Sequence, residues 1–186
     1  MAGERKQQIL ETLAKMLESP KREKITTAAL AAKLDVSEAA LYRHFANKAQ
    51  MFEGLITFIE ETIFGLINKI NTEETDGFRQ IQRIITMLLA FGEKNPGMTR
   101  VLIGDALVNE DEKLQLRINQ LYDRIEVTLK QSLKISVATS GKKVMPEAQA
   151  NLLICYVIGR WQQFAKSGFK RKPLEFASVQ VSYLTN

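Results

Sequence analysis

Apolar residues recur along this chain with the period of one helix face, and glycine and proline stand where such a pattern should stop. Residues 5–18 place Ile9, Leu10, Leu13, Met16 and Leu17 on one face, a first helix that "SPKREKI" interrupts. Thr26 or Thr27 can cap a short second helix to about Leu34, with Leu30, Ala31 and Leu34 inward. Asp35 and Val36 form a tight turn, and Ser37 can cap a third short helix ending near Phe45. Asn47 can cap a fourth, long helix to about Asn71, with Phe52, Leu55, Ile56, Ile59, Ile63, Leu66, Ile67 and Ile70 on a single face.

"NTEETDG" reads as a loop. A fifth helix follows from Phe78 to about Lys94, with Ile81, Ile84, Ile85, Leu88 and Gly92 inward. The residue before Pro96 is pushed out of helical geometry, so "KNPG" should end it. A sixth helix covers about 97–108. A seventh, about 110–135, groups Leu114, Ile118, Leu121, Ile125 and Leu129. "SVATSGKKVM" reads as a flexible link. Pro146 suits the first turn of an eighth helix to about Ser167, and a last helix occupies about 174–184. No repeat and no convincing strand interrupts this series. The pattern predicts an all-α fold with an N-terminal three-helix helix-turn-helix domain, residues 1–48, and a larger C-terminal helical domain, residues 49–186.

The eighth helix differs from the others. "LLICYVIGRWQQFA" is apolar around most of its circumference, so more than one side must be covered. One face can meet the protein's own core. The other can meet a copy of itself through Leu152, Tyr156, Gly159 and Gln163, with Gly159 allowing close approach. A central core helix in a monomer is the alternative.

Two short helices joined by a tight turn and braced by a first helix make a helix-turn-helix. Ala28, Ala29, Ala31, Ala32, Ala39 and Ala40 would let the helices cross closely, while Val36 plugs the turn and Leu41 and Phe45 point inward. Ser37, Glu38, Ala39, Tyr42, Arg43 and His44 are then left outside. Thr26, Thr27 and Ser37 bring hydroxyls to helix starts, where N–H groups suit phosphate oxygens. Arg43 and Lys48 supply cations for a phosphate backbone. Each of these has a plain alternative as a helix cap, a solvated lysine or a surface histidine. Together, at this spacing, they point to DNA.

Charge agrees. Residues 1–50 hold nine Lys and Arg against six Asp and Glu, and the remaining 136 hold seventeen against fifteen, so over half of the net +5 sits in about a quarter of the chain. Enzyme chemistry lacks the parts. His44 is the only histidine, the one cysteine, Cys155, is remote in sequence, no cluster has metal-ligand spacing, and "GEKNPG" is not a phosphate-cradling loop. No cofactor is expected. No apolar run has membrane-spanning length, and a single cysteine fits a reducing cytoplasm.

"TTAALAAKLDVSEAALYRHFANKAQMF" resembles the DNA-binding region of the TetR family: Thr27, an alanine-rich helix, Val36-Ser37, Tyr42-x-x-Phe45, then Lys48. "FGEKNPGMTRVL" and "RINQLYDRIE" narrow the resemblance to a branch of that family that blocks division over the nucleoid. The resemblance implies a nine-helix fold, a homodimer with a C-terminal dimerisation domain, and double-stranded palindromic DNA as ligand. It leaves open higher-order assembly on one site. It also implies a nucleoid-associated protein that antagonises polymers of the division GTPase FtsZ through its fourth and fifth helices. Phe58 lies about 120° from the core stripe of the fourth helix, and Arg83, Met87, Ala90 and Lys94 form a second stripe on the fifth, opposite Ile81 and Leu88. With Asn95 these are the candidate partner residues. The alternative is that Met87 and Ala90 pack on a neighbouring helix. Leu66 departs from the branch, which carries a cation there.

The competing function is a TetR-type repressor whose inducer occupies the C-terminal domain. The inward stripes there are bulky aliphatics with few polar members, although Leu88, Leu121 and Phe164 could line an apolar cavity.

Overall fold

The computed structural model describes residues 2–19, 25–140 and 145–185. Residues 20–24 of the expected break and 141–144 of the expected link lie outside them. The described residues form nine α-helices: α1 Ala2–Leu17, α2 Thr27–Lys33, α3 Glu38–Tyr42, α4 Lys48–Glu73, α5 Gly77–Lys94, α6 Pro96–Leu102, α7 Glu112–Ser140, α8 Pro146–Lys166 and α9 Ala177–Thr185. They contain no strand. None of these helices is long and apolar enough to cross a membrane.

The backbone falls into two compact units. One comprises residues 1–59 and 95–118, the other 60–94 and 119–186.

In the first unit Ile9, Leu13, Ala14 and Leu17 bury one face of α1, while Leu10 and Met16 lie at its edges. Helix α1 packs on α2 and on α6. The α6 contact is close: a Cβ built on Gly97 would sit 1.9 Å from the Ala14 carbonyl oxygen. Arg100, also on α6, is buried. Its Nε donates to Asp105 Oδ2 at 2.9 Å, and its Nη1 donates to the Leu17 and Ser19 carbonyls at 3.2 Å each. It thereby satisfies carbonyls at the end of α1 that have no partner within the helix. Gly97→Ala is expected to cost about 1–3 kcal/mol, because backbone must move to admit one methyl group. A urea titration showing an unshifted midpoint would contradict this packing.

In the second unit the centre is aliphatic and aromatic. Ile81, Ile84, Ile85 and Leu88 of α5, Leu121, Ile125 and Leu129 of α7, and Val157, Trp161 and Phe164 of α8 are fully buried. The Trp161 indole N–H donates to the Leu88 carbonyl at 3.1 Å, which answers its one polar group. Ser132 Oγ donates to Gln80 Oε1 at 2.8 Å, and Gln80 Nε2 donates to the Glu74 carbonyl at 2.7 Å.

Several expectations are corrected. Helix α4 continues through Asn71, Thr72 and Glu73, leaving only residues 74–76 between it and α5. Helix α7 continues through Ser136–Ser140, half of the expected link. The sixth helix stops at Leu102 and is followed by a separate 3-10 turn, Asp105–Leu107, after left-handed Gly104. Leu66 is not on the core face of α4; it is 39% exposed. Of the six alanines expected to line the α2–α3 crossing only Ala31 is buried. Such short helices bury one stripe each, and Leu30 with Ala31 and Leu41 suffice.

Candidate nucleic-acid and partner interfaces

Helices α2 and α3 are both started by side-chain caps. Thr26 Oγ1 accepts from the Ala29 N–H at 3.1 Å, and Ser37 Oγ accepts from the Ala40 N–H at 3.3 Å. The turn between them is closed by Asp35 in a left-handed conformation, φ 54°, which a short polar side chain tolerates. Leu41 and Phe45 anchor α3 inward. Ser37, Glu38, Ala39, Tyr42 and Arg43 remain exposed, as expected, and His44 is half-buried.

Polar groups fix this surface. Thr27 Oγ1 donates to Glu38 Oε2 at 2.6 Å and accepts from the Tyr42 hydroxyl at 3.3 Å. Thr27, Glu38 and Tyr42 thus hold the two helices at a set crossing before any ligand arrives. Lys48 is placed differently from a free surface cation. Its ammonium pairs with the Glu110 carboxylate, both side chains largely buried, and lies 5.6 Å from the centre of the Phe52 ring. A phosphate would have to compete with Glu110 for it, so Arg43 is the more available cation.

The second unit carries an open groove of about 510 Å³ lined by Leu66, Lys69, Ile70 and Glu73 of α4 and Gln82, Arg83, Thr86, Met87 and Ala90 of α5. Arg83 Nη2 donates to Glu73 Oε2 at 2.7 Å across it. That hydrogen bond holds the Glu73 carboxyl below its ordinary pKa. The groove brings together Arg83, Met87 and Ala90 of the expected partner stripe. Lys94 is exposed one turn further along α5. Phe58, 43% exposed, and Asn95 belong to the first unit. Sequence reasoning missed Lys69, Gln82 and Thr86. Lys69 stands three residues after Leu66 and supplies a cation to the same wall.

On α8, Leu152, Gly159 and Gln163 are exposed along one stripe, and nothing lies within 4 Å of a Cβ placed on Gly159. Tyr156 sits at the stripe's edge. It is half-buried, its hydroxyl donates to Gln180 Oε1 on α9 at 2.9 Å, and burial raises its pKa. That seam joins the α8 stripe to exposed Phe176, Val179 and Tyr183 at α9, which sequence reasoning also missed. The signal was present: residues 176, 179 and 183 repeat at i, i+3 and i+7 beside the buried set Ala177, Val181 and Thr185.

The bacterial regulatory proteins, tetR family, match residues 22–55, and an SlmA-like tetracyclin repressor-like C-terminal domain matches residues 75–186. Nucleoid occlusion factor SlmA of Alteromonas mediterranea is 53% identical over 92% of this chain and 89% of its own. That of Marinomonas sp. is 50% identical over 98% and 93%. Among solved structures, the TetR family transcriptional regulator PfmR from Thermus thermophilus superposes with a TM-score of 0.79 at 21% identity, covering 95% of this chain and 96% of that one.

Proposed function

The chain belongs to the SlmA nucleoid occlusion group of the TetR family, and from that premise we propose that it binds palindromic chromosomal DNA as a homodimer and, so bound, antagonises FtsZ polymers near the nucleoid. The observation that carries the DNA part is the two-sided α3. Leu41 and Phe45 are buried beneath it, while Ser37, Glu38, Ala39, Tyr42 and Arg43 face outward on a surface locked by Thr27. In this reading the outward residues of α3 enter the major groove, and Thr26, Arg43 and His44 flank it toward phosphates. Lys48 joins only after release from Glu110.

The partner part rests on the α4–α5 groove. Its apolar floor, Met87 and Ala90, and its cations, Arg83 and Lys69, match a surface that takes an apolar anchor in a charged rim. Lys94, one turn further along α5, extends the candidate surface, while Phe58 and Asn95 remain separate candidates on the first unit. The dimer is assigned to the exposed α8 stripe of Leu152, Gly159 and Gln163 with Tyr156 at its edge, continued by Val179 and Tyr183 of α9.

A map of chromosomal fragments held by the protein in its own cell tests the function directly. Many dispersed palindromes outside promoters are expected; one or two sites beside a neighbouring gene would mark a ligand-controlled repressor instead. Arg43→Ala is expected to weaken binding to all DNA sequences and to reduce the salt slope of affinity by about one unit, as loss of one phosphate contact should. A change of preference at a single base pair, with the slope intact, would reassign Arg43 to base readout.

A further inference from the structure

We infer that the loop between α8 and α9 is the cationic end of the α4–α5 groove, and that the partner segment it serves is a peptide with an acidic stretch next to its apolar anchor. This rests on the reading of the groove as the partner site.

The loop is strongly basic. Lys166 at the end of α8 and Lys170, Arg171 and Lys172 in the loop are all exposed, and among the described residues none of them forms an ion pair with an acidic side chain. Exposed lysines alone mean little. This loop has a backbone held in one place. Ser167 Oγ accepts from the backbone N–H groups of Lys170 and Arg171, at 3.1 and 2.9 Å. Arg160 donates to the carbonyls of Lys172, Pro173 and Glu175 at 2.8, 3.2 and 2.7 Å. The Phe169 ring stands edge-on to buried Phe164 with 5.1 Å between centres. Gly168 and Phe169 both take left-handed backbone, φ 66° and 64°, to bring this about. Their joint effect is to fix the backbone beneath residues 170–172.

The loop's position connects it to the groove. The Leu174 N–H donates to Glu93 Oε2 on the last turn of α5 at 3.2 Å. At about 100° per residue, Gln82, Thr86 and Glu93 lie within roughly 40° of one another on α5. Gln82 and Thr86 line the groove. The loop is therefore tied to the same edge of α5 that forms the groove wall, about two turns further on. Ala90, the smallest groove residue, lies between, and Lys94 is exposed on the other side of that path. A segment seated on Met87 and Ala90 and running toward the C-terminal end of α5 would pass from an apolar floor into a space with Lys94 on one side and the basic loop on the other. Carboxylates complement that end, and the fixed backbone lowers the ordering cost of meeting them.

The test uses the full-length chain with purified FtsZ as probe. Lys170→Glu with Arg171→Glu changes two exposed side chains that form no ion pair among the described residues. It is expected to leave DNA affinity intact, to weaken FtsZ binding about tenfold or more at low salt, and to flatten its salt dependence. A photo-crosslinking residue at position 171 is expected to label an acidic stretch of FtsZ adjoining the stretch labelled from position 87. Unchanged FtsZ affinity in the loop variant, or a label from 171 remote from that of 87, would overturn the inference while Met87→Glu still weakened binding and upheld the groove. If Met87→Glu kept its DNA and FtsZ affinities and position 87 labelled nothing, the groove reading itself would fall, and the inference with it.

Discussion

Arg100→Ala is expected to destabilise the protein by roughly 3–5 kcal/mol, the cost of removing one member of a buried ion pair. The side chains of Arg100 and Asp105 are only 11% and 17% exposed, so water replaces the lost contacts only in part. The same change strands the carbonyls of Leu17 and Ser19, which Arg100 now serves. The guanidinium is suited to this because its donors diverge in a fixed plane and reach three acceptors at once. Arg100→Lys keeps the charge but not the fork, and an intermediate loss is expected. Because α1 packs on α2, loosening its end should also lower DNA affinity under conditions where the rest of the chain is folded. Urea unfolding, together with hydrogen exchange of α1 and α6 amides, gives the measurement. A loss under about 1 kcal/mol would show that solvent reaches those carbonyls and that Arg100 is not what holds α1 to α6.

Arg100 also shows where sequence reading stops. A lone arginine in "NPGMTRVL" carries no mark that it is buried, since its acceptors are a carboxylate five residues on and carbonyls more than eighty residues away. The helices themselves were legible, because a buried stripe imposes its 3.6-residue period directly on residue choice. Phe52, Ile59, Ile63 and Ile67 on α4, or Leu121, Ile125 and Leu129 on α7, had no other reading. Boundaries were less so. Asn71 and Thr72 are poor helix formers, yet α4 continues through them to Glu73, whose pair with Arg83 joins its last turn to α5. Leu66 was assigned to the core because it is apolar and near the stripe, but a helix edge that opens onto a groove also accepts an apolar residue.

The caps, anchors and outward face of α2 and α3 were legible because their logic is local. The caps at Thr26 and Ser37 and the anchors Leu41 and Phe45 lie within twenty residues of one another. Lys48 was read as a phosphate contact because its burial against Glu110, 62 positions away, has no local signature. The groove residues Lys69, Gln82 and Thr86 escaped for the same reason. A groove between two helices is a property of the pair, and each helix alone shows only its polar edge.

Gly159→Leu should produce the largest change in function. Glycine in the middle of a helix is about 1 kcal/mol less favourable than alanine, and Gly159 is exposed within a 21-residue helix. Nothing in its own chain explains it, since the space where a Cβ would stand is empty to 4 Å. In the proposed dimer, a second helix approaching closely across a two-fold axis would explain it. The substitution is therefore expected to leave helix content and the monomer fold intact, or slightly stabilised, while holding the two α8 helices apart. Sedimentation equilibrium should then show a monomer at concentrations where the native chain is a dimer. Affinity for a full palindrome should fall by about 10²-fold or more, because the second half-site is no longer engaged at high effective concentration, while affinity for an isolated half-site stays the same. Tyr183→Glu, at a side chain 77% exposed on α9, should act in the same direction if α9 shares the interface. A dimer mass for Gly159→Leu with full palindrome affinity would remove α8 from the interface, and dissociation by Tyr183→Glu alone would move the two-fold contact onto α9.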